Sequence, residues 1–266
     1  MVLVRVYGQN TELLIDRKAE TANFLLLQKA GYAPRLYATF NNGLAYAYVP
    51  GEVLTSNMVK NPSIYPLVAR MLAKLHNVEC GPSMSKEPVI WRRTYHYLSL
   101  IPPTFTKCQL QKRFVECFPD GIDFLKQELQ ELQQNLSDIK TDVVFCHNDL
   151  LLGNIIHNDG KVTFIDYEYA AYNYQAYDIG NHFAEFAGVS EVDYSRYPNK
   201  EFQISWLNIY LSEYNQCKNA AGTVTFSEIN DLYLEVNKFS LASHLHWAIW
   251  ALVQAHHSAI DFDFIG

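Results

Sequence analysis

His147-Asn148-Asp149-Leu150-Leu151-Leu152-Gly153-Asn154-Ile155-Ile156, followed by Val162-Thr163-Phe164-Ile165-Asp166-Tyr167-Glu168, is the stretch on which the reading of this chain turns. It sets an Asp, an Asn five positions on and a second Asp twelve further, each beside a short apolar run. Asp, Asn and Gly close together usually mark a turn, and Asn158-Asp159-Gly160 reads as one. Phe145, Ile155-Ile156 and Phe164-Ile165 argue for more than a turn. They are apolar runs bounded by turn signals, the pattern of buried strands that deliver polar residues to one edge.

That chemistry suits phosphoryl transfer. A carboxylate must orient the attacking hydroxyl, and hard oxygen donors must hold the divalent cation on the nucleotide phosphates. Asp149 fits the first role, with Asn154 and Asp166 as the metal ligands. The spacing is that of a kinase catalytic loop followed by a metal-binding aspartate, with His-Asn-Asp where protein kinases carry His-Arg-Asp. His147 reads as a brace for the loop and His157 as a surface residue. His244, His246, His256 and His257 lack a Cys or carboxylate that would complete a metal set, so packing is their expected role.

The rest of the chain supplies the frame. Val2 to Tyr7 reads as a strand and Glu12 to Ile15 as a second strand pairing back on it. Glu20 to Ala30 reads as a helix closed by Gly31, and Leu36 to Phe40 with Leu44 to Val49 as a hairpin whose Asn42-Gly43 favours a primed turn. A hinge is expected at Tyr46 to Gly51. Beyond it helices are predicted at Tyr65 to Asn77, Phe124 to Leu136, Phe202 to Tyr214 and Phe226 to His257. The expected fold is α+β and protein-kinase-like: a small β-rich lobe over residues 1–50 and a larger, mainly helical lobe over 51–266.

Composition narrows the partners. The 266 residues are 49% hydrophobic and 18% charged, with a net charge of −7, which disfavours nucleic acid and anionic membrane as partners. The apolar stretch Leu245 to Val253 is far shorter than the roughly 20 residues a bilayer span needs. The start at Met1 does not read as a signal peptide. Five cysteines, odd in number and without CxxC spacing, point to a reducing cytoplasmic setting and away from disulfides or zinc.

Phe145 to Gly188 resembles the choline/ethanolamine kinase family, most closely its ethanolamine branch, through Tyr167-Glu168-Tyr169, Tyr172-Asn173-Tyr174-Gln175 and Asp178-Ile179-Gly180-Asn181-His182-Phe183. The likeness extends to Val2–Gly8, Pro34–Tyr37, Val236–Phe239 and Trp247–Trp250, and is weakest from Cys80 to Asp142. It implies ATP- and Mg²⁺-dependent phosphorylation of ethanolamine to phosphoethanolamine, the first step of the CDP-ethanolamine route to phosphatidylethanolamine. Choline kinase, an aminoglycoside-type phosphotransferase and a non-catalytic regulatory homologue are the alternatives, and the reading leaves room for a homodimer. The resemblance also casts Arg5 and Glu20 as a nucleotide-binding pair, with Tyr48 and Val49 contributing to that site. Asp178 sits at a helix start, where capping is the simple expectation. Glu185 is the candidate acceptor for a substrate ammonium. Trp247 and Trp250, three apart on a helix, with Tyr169, would form an aromatic cage around it; by periodicity alone they read as core. Relative to the family, the glycine-rich phosphate lid before Val2 and a last helix after Gly266 are expected to be missing.

Overall fold

The computed structural model describes residues 1–266 except Pro82, Ser83, Ser190, Ala221, Ala259 and Gly266. Val2–Val6 (β1), Leu36–Phe40 (β2) and Gly43–Ala47 (β3) form an antiparallel sheet in the order β1-β3-β2. The predicted hairpin is present, but its loop is Asn41-Asn42 and neither residue takes positive φ, so the turn is not the primed type. Gly43 instead pairs with Val6, where a Cβ would lie 2.2 Å from the Arg5 carbonyl oxygen.

The strand expected at Glu12–Ile15 does not form. Thr11–Leu13 is a 3₁₀ turn, and Asp16 caps a helix that starts earlier than predicted, Arg17–Ala30 (α1). The Asp16 carboxylate accepts the N–H groups of Lys18 and Ala19, both at 3.0 Å, which satisfies donors that a helix start otherwise leaves open. This cap commits the chain to helix before a strand can pair.

After β3, Tyr48 to Gly51 link the sheet to Glu52–Val53 (β4), which pairs with a second sheet in the order β4-β6-β7, where Ile155–Asn158 is β6 and Lys161–Phe164 is β7. Gly51 has φ +140°, and a Cβ there would lie 2.5 Å from the His157 carbonyl oxygen. The link can pass this close to β6 only without a side chain. The turn expected at Asn158-Asp159-Gly160 does join β6 to β7, on Asp159-Gly160 with φ of 46° and 73°, the signs of a primed turn. Val143–Cys146 (β5) pairs with Ala171–Tyr174 (β8).

The remainder is helical: Tyr65–His76 (α2), Val89–Leu100 (α3), Cys108–Cys117 (α4), Gly121–Ser137 (α5), Gln175–Ala184 (α6), Lys200–Cys217 (α7) and Phe226–His257 (α8). Helices α3 and α4 lie in the stretch where the sequence pattern was weakest. Helix α8 opens on a full capping box between Thr225 and Glu228. It packs on α6, where at Gly180 the two backbones approach so closely that a Cβ would sit 2.8 Å from the Val236 carbonyl oxygen, and its later turns pack in a second core with α3 and α5. The main core packs α2, α6, α7 and α8 around Phe145, Ile155 and Phe164, all fully buried, so the edge carrying Asp149, Asn154 and Asp166 rests on a rigid base.

Candidate active site

Strand β5 runs directly into the loop carrying Asp149, and a buried carboxylate holds that loop in place. Asp178 accepts the backbone N–H groups of His147 at 2.8 Å and Asn148 at 2.7 Å, and His76 Nε2 lies 2.9 Å from it. Burial alone would push the Asp178 carboxyl up, but the bonds from His76 and the loop outweigh it and hold it below the ordinary range. Asp178 is therefore not a helix cap; Tyr174 stands at that position and Asp178 lies four residues further in. Asn148 takes φ +66°, and its amide donates to the carbonyls of Tyr169 and Ala171 at 3.0 and 3.2 Å. His147 braces the loop as expected, with Nε2 donating to the Ile165 carbonyl at 3.0 Å, and burial keeps its pKa low.

Asp149 and Asn154 are brought together. The Asn154 amide nitrogen donates to the Asp149 carbonyl at 2.9 Å and to its carboxylate at 3.4 Å. That assignment leaves the Asn154 amide oxygen without a hydrogen bond among the described residues. The Ile165 N–H donates to the Asn154 carbonyl at 3.0 Å, tying the loop to the segment that ends in Asp166. Asp166 itself takes left-handed φ 64° and ψ 62°, uncommon for a non-glycine residue and a mark of a constrained site. Burial, then the negative charges of Glu185 and Asp166, push the Asp149 carboxyl well up. An amide oxygen and a carboxylate are the hard donors that Mg²⁺ takes, so Asn154 and Asp166 fit the metal that the fold implies.

Arg5 does pair with Glu20, at 3.3 Å, but it also contacts the carboxylates of Asp166 and Glu168 directly. Burial would lower its pKa; the three carboxylates more than offset this and push it up. Arg17, which the sequence did not single out, completes the cluster with bonds of 2.8 Å to Glu20 and 3.0 Å to Glu168, its guanidinium stacked 3.9 Å from the Tyr7 ring centroid. Tyr48 is exposed and Val49 half-buried in the link before β4.

An aromatic wall stands on the other side. The rings of Trp247 and Trp250 lie 5.5 Å apart at 79°, and Tyr169 meets Trp247 edge-on at 5.4 Å. Trp247 Nε1 donates to Asn181 at 2.7 Å and Trp250 Nε1 to the Tyr169 hydroxyl at 3.0 Å. Both tryptophans are half-buried, where core residues would be closed off. Glu185 follows Asn181 by one turn at the end of α6, and burial pushes its carboxyl up to about 7. His246 packs as expected, 2.7 Å from Thr94 and stacked on Tyr97.

A β-rich lobe linked to a helical lobe, with this loop between them, is a protein-kinase-like fold. The chain belongs to the choline/ethanolamine kinase family, whose description "Choline/ethanolamine kinase" matches residues 1–266. It is 52% identical over 272 residues to the ethanolamine kinase of Drosophila melanogaster, covering 100% of this chain and 52% of that protein. It is 49% identical over 268 residues to ethanolamine kinase 1 of Homo sapiens, covering 100% of this chain and 59% of that one. The chain thus spans between half and three fifths of the length of these two relatives. Among solved structures, Plasmodium vivax ethanolamine kinase superposes with a TM-score of 0.85 at 28% identity, over 99% of this chain and 72% of that one.

Proposed function

We propose that this chain carries the catalytic part of an ATP- and Mg²⁺-dependent kinase that phosphorylates ethanolamine, the entry step of the CDP-ethanolamine route to phosphatidylethanolamine. The observation that carries the reading is the placement of Asp149: anchored to Asn154, near the charge of Asp166, and flanked by Glu185 and the Tyr169–Trp247–Trp250 wall. Residues 1–50 form the nucleotide-binding lobe, with Arg5 and Glu20 toward the phosphates and Tyr48 and Val49 at its hinge. Residues 51–266 form the catalytic lobe.

Asp149 orients the acceptor hydroxyl and takes its proton as the oxygen bonds to the γ-phosphorus of ATP and the bond from that phosphorus to the bridging oxygen breaks, releasing ADP. Asp166 and Asn154 hold the divalent cation, which offsets charge on the phosphates when bound. Glu185 receives hydrogen bonds from the ammonium, and the wall of rings attracts its charge. No described helix is long and apolar enough to cross a membrane. A cytoplasmic setting is the proposed one, and the free cysteines, which suit a reducing compartment, support it.

Initial rates of the purified chain with Mg·ATP and either ethanolamine or choline test the proposal. Turnover with a higher kcat/KM for ethanolamine is expected. A higher value for choline would move the substrate assignment, and Mg·ATP binding without turnover on either amine would favour a regulatory protein.

A further inference from the structure

Behind the catalytic loop lies a buried polar chain that the proposed reaction does not use. Gln175 Nε2, on the first residue of α6, donates to the Tyr210 hydroxyl at 2.9 Å. That hydroxyl lies 2.6 Å from His76 Nδ1, and His76 Nε2 lies 2.9 Å from the Asp178 carboxylate. Gln175, Tyr210, His76 and Asp178 come from α6, α7, α2 and α6 again, and all are buried.

For a neutral His76 and the Gln175 amide as placed, only one direction of donation satisfies every atom. Asp178 can only accept, because both its oxygens already take N–H groups from His147 and Asn148. His76 must therefore carry its proton on Nε2, leaving Nδ1 with a lone pair and in need of a donor. The Tyr210 hydroxyl is that donor. Gln175, donating to the same hydroxyl oxygen, turns the hydroxyl hydrogen toward His76. Cys146 lies within 4.8 Å of His76 and Asp178, but burial pushes its thiol well up, so it adds no competing anion. The Tyr210 ring has no freedom to swing, since it is stacked between Trp206 at 5.6 Å and 10° and Tyr214 at 5.6 Å and 17°.

We infer that Tyr210 is a positioning residue for the phosphotransfer reaction: its hydroxyl, bonded to His76 Nδ1, holds the ring whose Nε2–H orients Asp178, and so steadies the backbone of the loop that carries Asp149. The kinetic part of this inference rests on the kinase reading above; the hydrogen-bond part does not. Tyr210 is 61 residues ahead of Asp149 and touches no part of the open site, which is why a scan for catalytic motifs passes over it.

Tyr210→Phe keeps the ring stack and removes only the hydroxyl. The expected result is a roughly tenfold lower kcat, the scale of losing an outer partner that orients a catalytic group, with KM for Mg·ATP and for ethanolamine within about twofold of the parent. In ligand-free protein, long-range ¹H–¹⁵N spectra should show His76 protonated on Nε2 with a hydrogen-bonded, unprotonated Nδ1, whose ¹⁵N resonance moves to that of a free lone pair in Tyr210→Phe. An unchanged His76 pattern overturns the inference whatever the kinetics. So does an unchanged kcat in an otherwise active enzyme. Should Tyr210→Phe not fold, Gln175→Met removes the donor that turns the hydroxyl hydrogen toward His76, and a shift of the same Nδ1 resonance is expected; a parental resonance there overturns the inference equally.

Discussion

Glu185 should give this protein a pH dependence that a single substitution removes. Its carboxyl, ordinarily near 4.5, is pushed up to about 7 by burial, a gap of about 2.5 pH units. At 1.36 kcal/mol per unit, ionising it in the folded protein costs about 3 kcal/mol. The folded chain holds this proton more tightly than the unfolded chain, so the associated stability is present in full below about pH 4.5 and is lost as pH rises through about 7. Glu185→Gln stays neutral throughout. Its stability relative to the parent should improve by about 3 kcal/mol between pH 4.5 and 8, read from urea unfolding. Ethanolamine binding should run the other way, because its ammonium needs the ionised carboxylate. With a midpoint near 7, the ionised fraction rises from about 0.09 at pH 6 to about 0.91 at pH 8. KM for ethanolamine should fall about tenfold over that range in the parent and stay level in Glu185→Gln. A level parental KM, or the same slope in both proteins, would refute the assignment of Glu185 to the ammonium.

Asp166→Ala should abolish turnover, whereas Asp149→Ala should lower kcat by about 10²–10⁴ while nucleotide still binds; nucleotide titration beside rate measurements separates the two, and the reverse pattern would invert their roles. Trp247→Ala and Trp250→Ala should each raise KM for ethanolamine by about 2- to 30-fold, from a cation–π contact worth about 0.5–2 kcal/mol, with KM for ATP little changed. A tryptophan variant that melts much earlier yet keeps the parental KM would show that the ring serves the core. Gly51→Ala should destabilise the fold by about 2 kcal/mol or more, since it adds a clash 2.5 Å from the His157 carbonyl to a φ of +140°. An unshifted melting temperature would mean that the link between the sheets can move aside.

How far the sequence could be read depended on distance along the chain. Asp149, Asn154 and Asp166 stand within one short segment, and the apolar runs between them announce the strands that bring them together. Arg5 was legible only through resemblance. Its contact with Asp166, 161 residues away, depends on how β1 is laid across the loop. Arg17 was missed because an Arg at a helix start looks like any solvated residue until Glu20 and Glu168 are seen on either side of it. His76, Gln175 and Tyr210 were invisible for a related reason: three helices bring them together, and polar residues on mostly apolar faces carry no periodic signal. The strand expected at Glu12–Ile15 fails and α1 starts earlier than expected for one cause, an Asp16 cap that outweighed the strand pattern before it. At Asn42-Gly43 a hairpin did form, but the glycine serves in the ladder, where a Cβ would meet the Arg5 carbonyl, and the turn is left to two asparagines.

The two indole N–H groups of the aromatic wall face inward, one on Asn181 and one on the Tyr169 hydroxyl. The indoles are therefore mute toward hydrogen bonding and present only π-faces to whatever enters. Such faces draw a bare and a fully methylated ammonium with similar force, so the rings can concentrate cations but cannot count N–H bonds. In the proposed site the counting falls to an oxygen, and Glu185 is the one assigned to the ammonium. The preference between primary and quaternary amines would then rest on one carboxylate at the end of a helix, and that single position is where selection could redirect the substrate without rebuilding the pocket.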